Sequence, residues 1–151
     1  MKIEFEPLTN LDLAQFGCSI LKLHPCSLKA VLKYEGGEKE DVIVGYIAIE
    51  DSPFNLISTE NDSEEIKDYK NKFNNIPSFL LRKIYFTEEY RYRGDLENLF
   101  DKVVSELPFQ SIVWYRRSIM GNGVGLIEQI GGFNPIPYNI EPNVLIFSLQ
   151  C

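Results

Sequence analysis

The sequence holds one histidine, His24, and three cysteines, Cys18, Cys26 and Cys151. The cysteine count is odd and no pair has a C-x-x-C spacing, so neither a disulfide framework nor a zinc site is expected. The cysteines read instead as small buried hydrophobes and a free terminal thiol. His24 precedes Pro25 in the turn-like LKLHPCSL, a poor setting for a Cys–His nucleophile. No apolar run approaches the ~18 residues of a membrane helix. The N-terminal MKIEFEPLTN is acidic where a secretion signal needs an apolar stretch. Basic residues are in the minority, 15 Lys+Arg against 22 Asp+Glu, for a net charge of −7. Nucleic-acid backbones reward clustered Lys and Arg, so general nucleic-acid binding is not expected. These absences predict a cytoplasmic protein with no membrane segment, metal or nucleic-acid partner.

What is present fits one domain over residues 1–151, with 44% hydrophobic and 25% charged residues. Lys2 to Pro7 alternates polar and apolar residues and predicts a first strand. Thr9 or Asn10 then caps a helix carrying Leu11, Leu13, Phe16 and Ile20. Ala30–Tyr34 and Val42–Ile49 flank Gly36–Gly37 and predict a hairpin, with Gly45 marking a bulge or a close backbone approach. Within the loop-like Asp51–Ile76, Asp62 and Glu65 make a capping-box pattern ahead of Ile66, Tyr69 and Phe73. Pro77–Phe86 is the strongest strand pattern. The stripe Leu96, Leu99, Phe100, Val103, Val104 and Leu107 then predicts a helix stopped by Pro108. A short strand over Ser111–Tyr115, a helix over Val124–Ile130 and a last strand over Val144–Leu149 complete a mixed α/β layered domain.

The stretch FTEEYRYRGDLENLF, Phe86 to Phe100, sets two arginines and a glycine at a strand-to-helix corner. The first N–H groups of a helix lack partners and carry the positive end of its dipole. A glycine there lets an anion approach the backbone. A capped helix start with solvated arginines is the plain alternative.

The C-terminal half resembles the GNAT superfamily of acetyl-CoA-dependent N-acetyltransferases. That family's acetyl-CoA motif is a strand, a turn of the form R/Q-x-x-G-x-G/A, and a helix. Arg91-Tyr92-Arg93-Gly94-Asp95-Leu96 stands at that place, and Gly132-Phe133 matches a Gly-Phe that ends the family's later helix. The sequence departs from the pattern at Leu96, where the family has glycine or alanine. It departs again at Glu128, where the family often has a tyrosine as general acid, and at Asn122, one place from the usual asparagine.

The resemblance implies a central, mostly antiparallel twisted sheet with flanking helices, and acetyl transfer from acetyl-CoA to an amine. It implies that backbone groups of Ile84 and Phe86 bond the pantetheine arm and that Arg91, Tyr92, Arg93, Gly94, Asp95 and Leu96 hold the pyrophosphate, with Asn122 nearby. Glu88 or Glu89 would accept the amine's proton, and Glu128 or Tyr115 would protonate the departing sulfur. The acceptor would be a small-molecule amine or a protein amino group, on a monomer or homodimer. An acidic chain attracts cationic amines. The alternative is a non-catalytic member of the fold, a binding module whose acetyl-CoA site has decayed.

Overall fold

The computed structural model describes residues 1–37 and 39–149, and Cys151 lies outside them. Strands β1 (Lys2–Pro7), β2 (Leu28–Lys33), β3 (Val42–Glu50), β4 (Ser78–Phe86), β5 (Ile112–Arg116), β6 (Asn134–Pro135) and β7 (Val144–Ser148) form one sheet. Its order is β1-β2-β3-β4-β5-β7-β6. Every pairing is antiparallel except β4–β5, which is parallel. Among the described residues five α-helices flank it: α1 (Asn10–Ala14), α2 (Glu64–Asn74), α3 (Asp95–Ser105), α4 (Arg117–Met120) and α5 (Val124–Ile130). The mixed class and the mostly antiparallel sheet are as expected.

Strand alternation divides the core between the two sheet faces. On one face Ala30, Ile47, Leu81, Val113 and Leu145 pack with Leu96, Leu99, Phe100 and Val103 of α3 and with Leu126 and Ile127 of α5. Burying each large aliphatic or aromatic side chain there is worth about 1.5–3 kcal/mol. The other face carries two separate clusters. Leu13 of α1 joins Leu8, Ile20, Tyr46 and Ala48. Phe73 of α2 joins Leu56, Leu80, Ile112, Trp114 and Ile136.

The helix expected from Thr9 to Ile20 is cut short at Ala14. Thr9 caps it in a reciprocal box with Asp12. Gly17 then turns at φ 68°, and Cys18 N–H returns to the Leu13 carbonyl at 3.0 Å. The Asn10 side chain holds both backbone groups of Ile20, at 2.8 and 2.9 Å. Local side-chain bonds thus replace a second helical turn.

Segment 51–63 has almost no regular structure, yet it is fastened by side chains. Phe54 N–H donates to Ser78 Oγ at 2.8 Å, Asn74 pairs with both backbone groups of Leu56, and Trp114 Nε1–H donates to the Ser52 carbonyl. Ser63, rather than Asp62, caps α2 by accepting from Ile66 N–H. Asp62 turns instead to Thr59 N–H and to Lys70 Nζ at 2.7 Å, and Lys70 also donates to the Ile57 carbonyl. Lys70, with the backbone and hydroxyl donors of Thr59, holds the Asp62 carboxyl at about 2.

That depression fixes a sign. The contribution of Asp62 is full above the unfolded carboxyl value of about 3.9 and is lost as pH falls through about 2. Asp62→Asn is therefore expected to flatten the fall of melting temperature between roughly pH 4 and pH 2. Parallel acid curves for the two proteins would show that Asp62 is not held by Lys70.

Two bulges bend the central strands. Val44 is the extra residue opposite Ala30 and Val31, and Arg82 is the extra residue opposite Ala48 and Ile49. Gly45 sits at the first of these, as the bulge expectation has it, and what lies against it is the Phe86 ring rather than another backbone. Helix α4 and strand β6 were not expected. The first has only four residues and no apolar period, and the second is two residues long with a proline.

Candidate functional site

The sheet parts between β4 and β5. These strands pair only over Ser78–Leu80 and Ile112–Trp114. From Leu81 to Phe86 the β4 edge toward β5 has no strand partner, while its other edge stays paired with β3. Thr87 N–H donates to the Val44 carbonyl. By alternation the backbone groups of Ile84 and Phe86 face the opening. A cavity of about 210 Å³ lies there, lined by Tyr46, Arg82, Lys83, Ile84, Tyr85, Met120, Asn122 and Gly123 among others. The structure thus brings Ile84 and Asn122 together. Gly123 closes one wall tightly: a Cβ on it would lie 2.9 Å from Ile84 Cγ2.

The opening leads to the start of α3. Gly94 is the N-cap, at φ 82°, and no side chain caps the helix. A Cβ on Gly94 would meet nothing within 4 Å, so the corner faces open space. Leu96 points away from it and is fully buried in the α3 core cluster. Its side chain therefore does not crowd the turn. Arg91 turns back and donates from an Nη to the Phe86 carbonyl at 3.0 Å. The Arg93 guanidinium lies over the Tyr90 ring, 5.1 Å from its centroid, and Tyr92 is exposed.

This corner also collects unmet hydrogen-bonding capacity. Among the described residues, four buried side-chain polar atoms lack a partner: Thr87 Oγ1, Arg91 Nε, Asp95 Oδ2 and Glu97 Oε2. All four lie within eleven residues of one another along the chain. Leaving such a group unpaired costs about 1–3 kcal/mol. The Thr87 hydroxyl, Arg91 Nε–H and free α3 amides suit phosphate oxygens. Asp95 and Glu97 repel phosphate and suit hydroxyl or amino donors.

The candidate proton-transfer groups fall in two places. Glu88 and Glu89 are exposed in the turn after β4. Tyr115 and Glu128 share a different cavity, of about 230 Å³, with Arg117, Ile127, Gly131, Phe133 and Leu145. None of these residues lines the opening beside Ile84. Burial pushes the Tyr115 phenol upward; the Arg117 charge opposes this and the Glu128 charge adds to it. The residues that sequence reasoning missed are Tyr46, Arg82, Lys83 and Tyr85 at the opening itself. Burial raises the Tyr46 phenol to about 12, so it keeps its proton at neutral pH. His24 and Cys26 do meet, but Cys26 N–H donates to His24 Nδ1 and burial pushes the thiol to about 12. That thiol is inert near neutrality. Among the described residues no cluster of His, Cys, Asp and Glu could hold a metal, and no helix is long and apolar enough to cross a membrane.

Solved structures share this fold. A tyrosine-to-phenylalanine mutant of KacT superposes with a TM-score of 0.58 at 12% identity, over 98% of this chain and 95% of that one. The chain has the GNAT fold. AtaTR bound with acetyl-CoA matches at TM-score 0.54 and 15% identity, over 97% of this chain and 93% of that one. Arabidopsis thaliana NAA60 in complex with acetyl-CoA matches at TM-score 0.54 and 14% identity, over 99% of this chain and all of that one. At such identities the likeness is one of GNAT architecture rather than of site residues. No family model and no curated protein matches the sequence.

Proposed function

We propose that this chain is an acetyl-CoA-dependent N-acetyltransferase. The observation that carries the reading is the unpaired β4 edge running into a glycine-started helix whose corner holds four unpartnered polar atoms. Backbone groups of Ile84 and Phe86 would bond an extended pantetheine arm as a strand would. The α3 amides, Thr87 and Arg91 would hold the phosphates, with Arg93 released from Tyr90 to join them. Bound acetyl-CoA would supply the activated acetyl group. The amine nitrogen bonds the acetyl carbon as the carbon–sulfur bond breaks. Nitrogen loses a proton to a base and sulfur gains one. Glu88 and Glu89 are the candidate bases. Tyr115 and Glu128 are the candidate acids, and each must approach the opening to act. The acceptor would be an amine of a small molecule or of a protein, met in the cytoplasm.

One observation favours the non-catalytic alternative. Arg91 already occupies the Phe86 carbonyl, and Gly123 and Met120 stand against Ile84. A ligand would have to displace these contacts. Thermal unfolding with acetyl-CoA, desulfo-CoA and ATP separates the readings. Ligand at ~100 times Kd stabilises the folded state by about 2.7 kcal/mol. For ~150 residues that is a rise of roughly 5–10 °C. We expect this with both coenzyme A compounds and not with ATP. No shift at millimolar concentration would reject the acetyltransferase reading and leave the binding module.

A further inference from the structure

The five arginines of the chain, Arg82, Arg91, Arg93, Arg116 and Arg117, all lie in its second half. Among the described residues every ion pair is made by a lysine or the N-terminus, and no arginine takes part. In a chain with seven excess negative charges, carboxylates are not scarce. The arginines have been left unpaired around the parted strands.

Arg91 and Arg93 belong to the corner already described. Arg82 and Arg116 belong to the opposite sheet face. The bulge at Arg82 lets neighbouring residues share a side, and Arg82 and Lys83 line the same cavity with Tyr46 and Tyr85. On β5, Arg116 lies two residues beyond Trp114 and so shares its face. Its guanidinium sits 5.7 Å from the Phe54 ring centroid, beside the Trp114 cluster. If the register Leu80↔Trp114 ran on, Arg82 would stand opposite Arg116. The strands part at that point instead. Arg82 and Lys83 therefore line the opening beside Tyr46 and Tyr85, and Arg116 lies on the same sheet face against Phe54. Like charges so placed repel, and an oxyanion between them removes the repulsion. Arginine also fits phosphate and carboxylate in a bidentate manner.

We propose that the acceptor carries an oxyanion beside its amine, and that Arg82 and Lys83 hold it, with Arg116 turning from the Phe54 ring to join them. This rests on the acetyltransferase reading for the word acceptor, and on the cationic rim alone for the anion site. The site's local charge is opposite to that of the chain as a whole, so an anionic amine is admitted where a polyamine is repelled.

The test titrates inorganic phosphate, and acetate in a parallel arm, into protein with and without saturating coenzyme A, following thermal unfolding. Three proteins are compared: wild type, Arg82→Gln/Lys83→Gln/Arg116→Gln, and Arg91→Gln/Arg93→Gln. With coenzyme A bound, the triple variant should bind the anion at least tenfold more weakly than wild type; without coenzyme A, the Arg91/Arg93 variant should keep the anion binding that the triple variant loses. A response to phosphate alone assigns a phosphorylated amine, and a response to acetate assigns a carboxylated one. Equal anion affinity in wild type and triple variant overturns the proposal. If coenzyme A itself produces no shift, the transfer reading falls, while the same comparison without coenzyme A still decides the anion site. Unperturbed circular dichroism of the triple variant excludes misfolding as the cause.

Discussion

Gly45→Ala is expected to lower the melting temperature by roughly 2–12 °C, from about 1–3 kcal/mol of overpacking at about 2–4 °C per kcal/mol. An added Cβ would lie 2.5 Å from Cδ2 and Cε2 of Phe86 and 2.7 Å from its Cγ. The root of the ring is among these contacts, so a rotation of the ring about its own axis does not relieve them. Phe86 is fully buried and packed in the α3 cluster, which leaves it no other place. The chain must therefore shift β3 from β4 or expel the ring. Either movement reaches the candidate site, because the Phe86 carbonyl anchors Arg91. Phe86→Leu should be destabilising in the parent and much less so in Gly45→Ala. A double-mutant cycle measures that coupling. Strictly additive effects would show that the two residues do not meet.

Gly94→Val should separate ligand binding from folding. At φ 82° a β-branched residue is strained by at least the ~1–2 kcal/mol of a left-handed L-residue, although no atom lies within 4 Å of its Cβ. The start of α3 would rotate to relieve the strain and re-aim its first amides. We expect acetyl-CoA affinity to fall at least tenfold, with a modest loss of melting temperature. Gly94→Asn, which tolerates this backbone region, should retain much of the affinity. Unchanged acetyl-CoA binding in Gly94→Val, measured by calorimetry, would remove this corner as the binding site.

The strands and long helices were legible because their apolar periods are strong. Val124–Ile130 is a helix over the span its flanking glycines suggest, and the stripe from Leu96 forms the buried face of α3. Failures came where a local bond outweighed a pattern. Ser63 caps α2 because Asp62 is drawn to Lys70, eight residues away, and no local motif encodes that pairing. The corner at Gly94 could be located from sequence, but the direction of Leu96 could not. The cationic rim was least legible. Arg82 and Arg116 stand 34 positions apart and come to one face of the sheet only through a bulge and the pairing of two parallel strands.

That parting has another consequence. An unpaired strand edge on the outside of a sheet is a template for other chains and invites aggregation. Here the unpaired stretch of β4 lies in the interior of a seven-stranded sheet, with β5 diverging on one side and β3 paired on the other. A slender extended molecule can enter the wedge, but a second sheet cannot dock against it edge to edge. The fold keeps a row of backbone donors and acceptors out of the strand ladder while hiding it from its own copies.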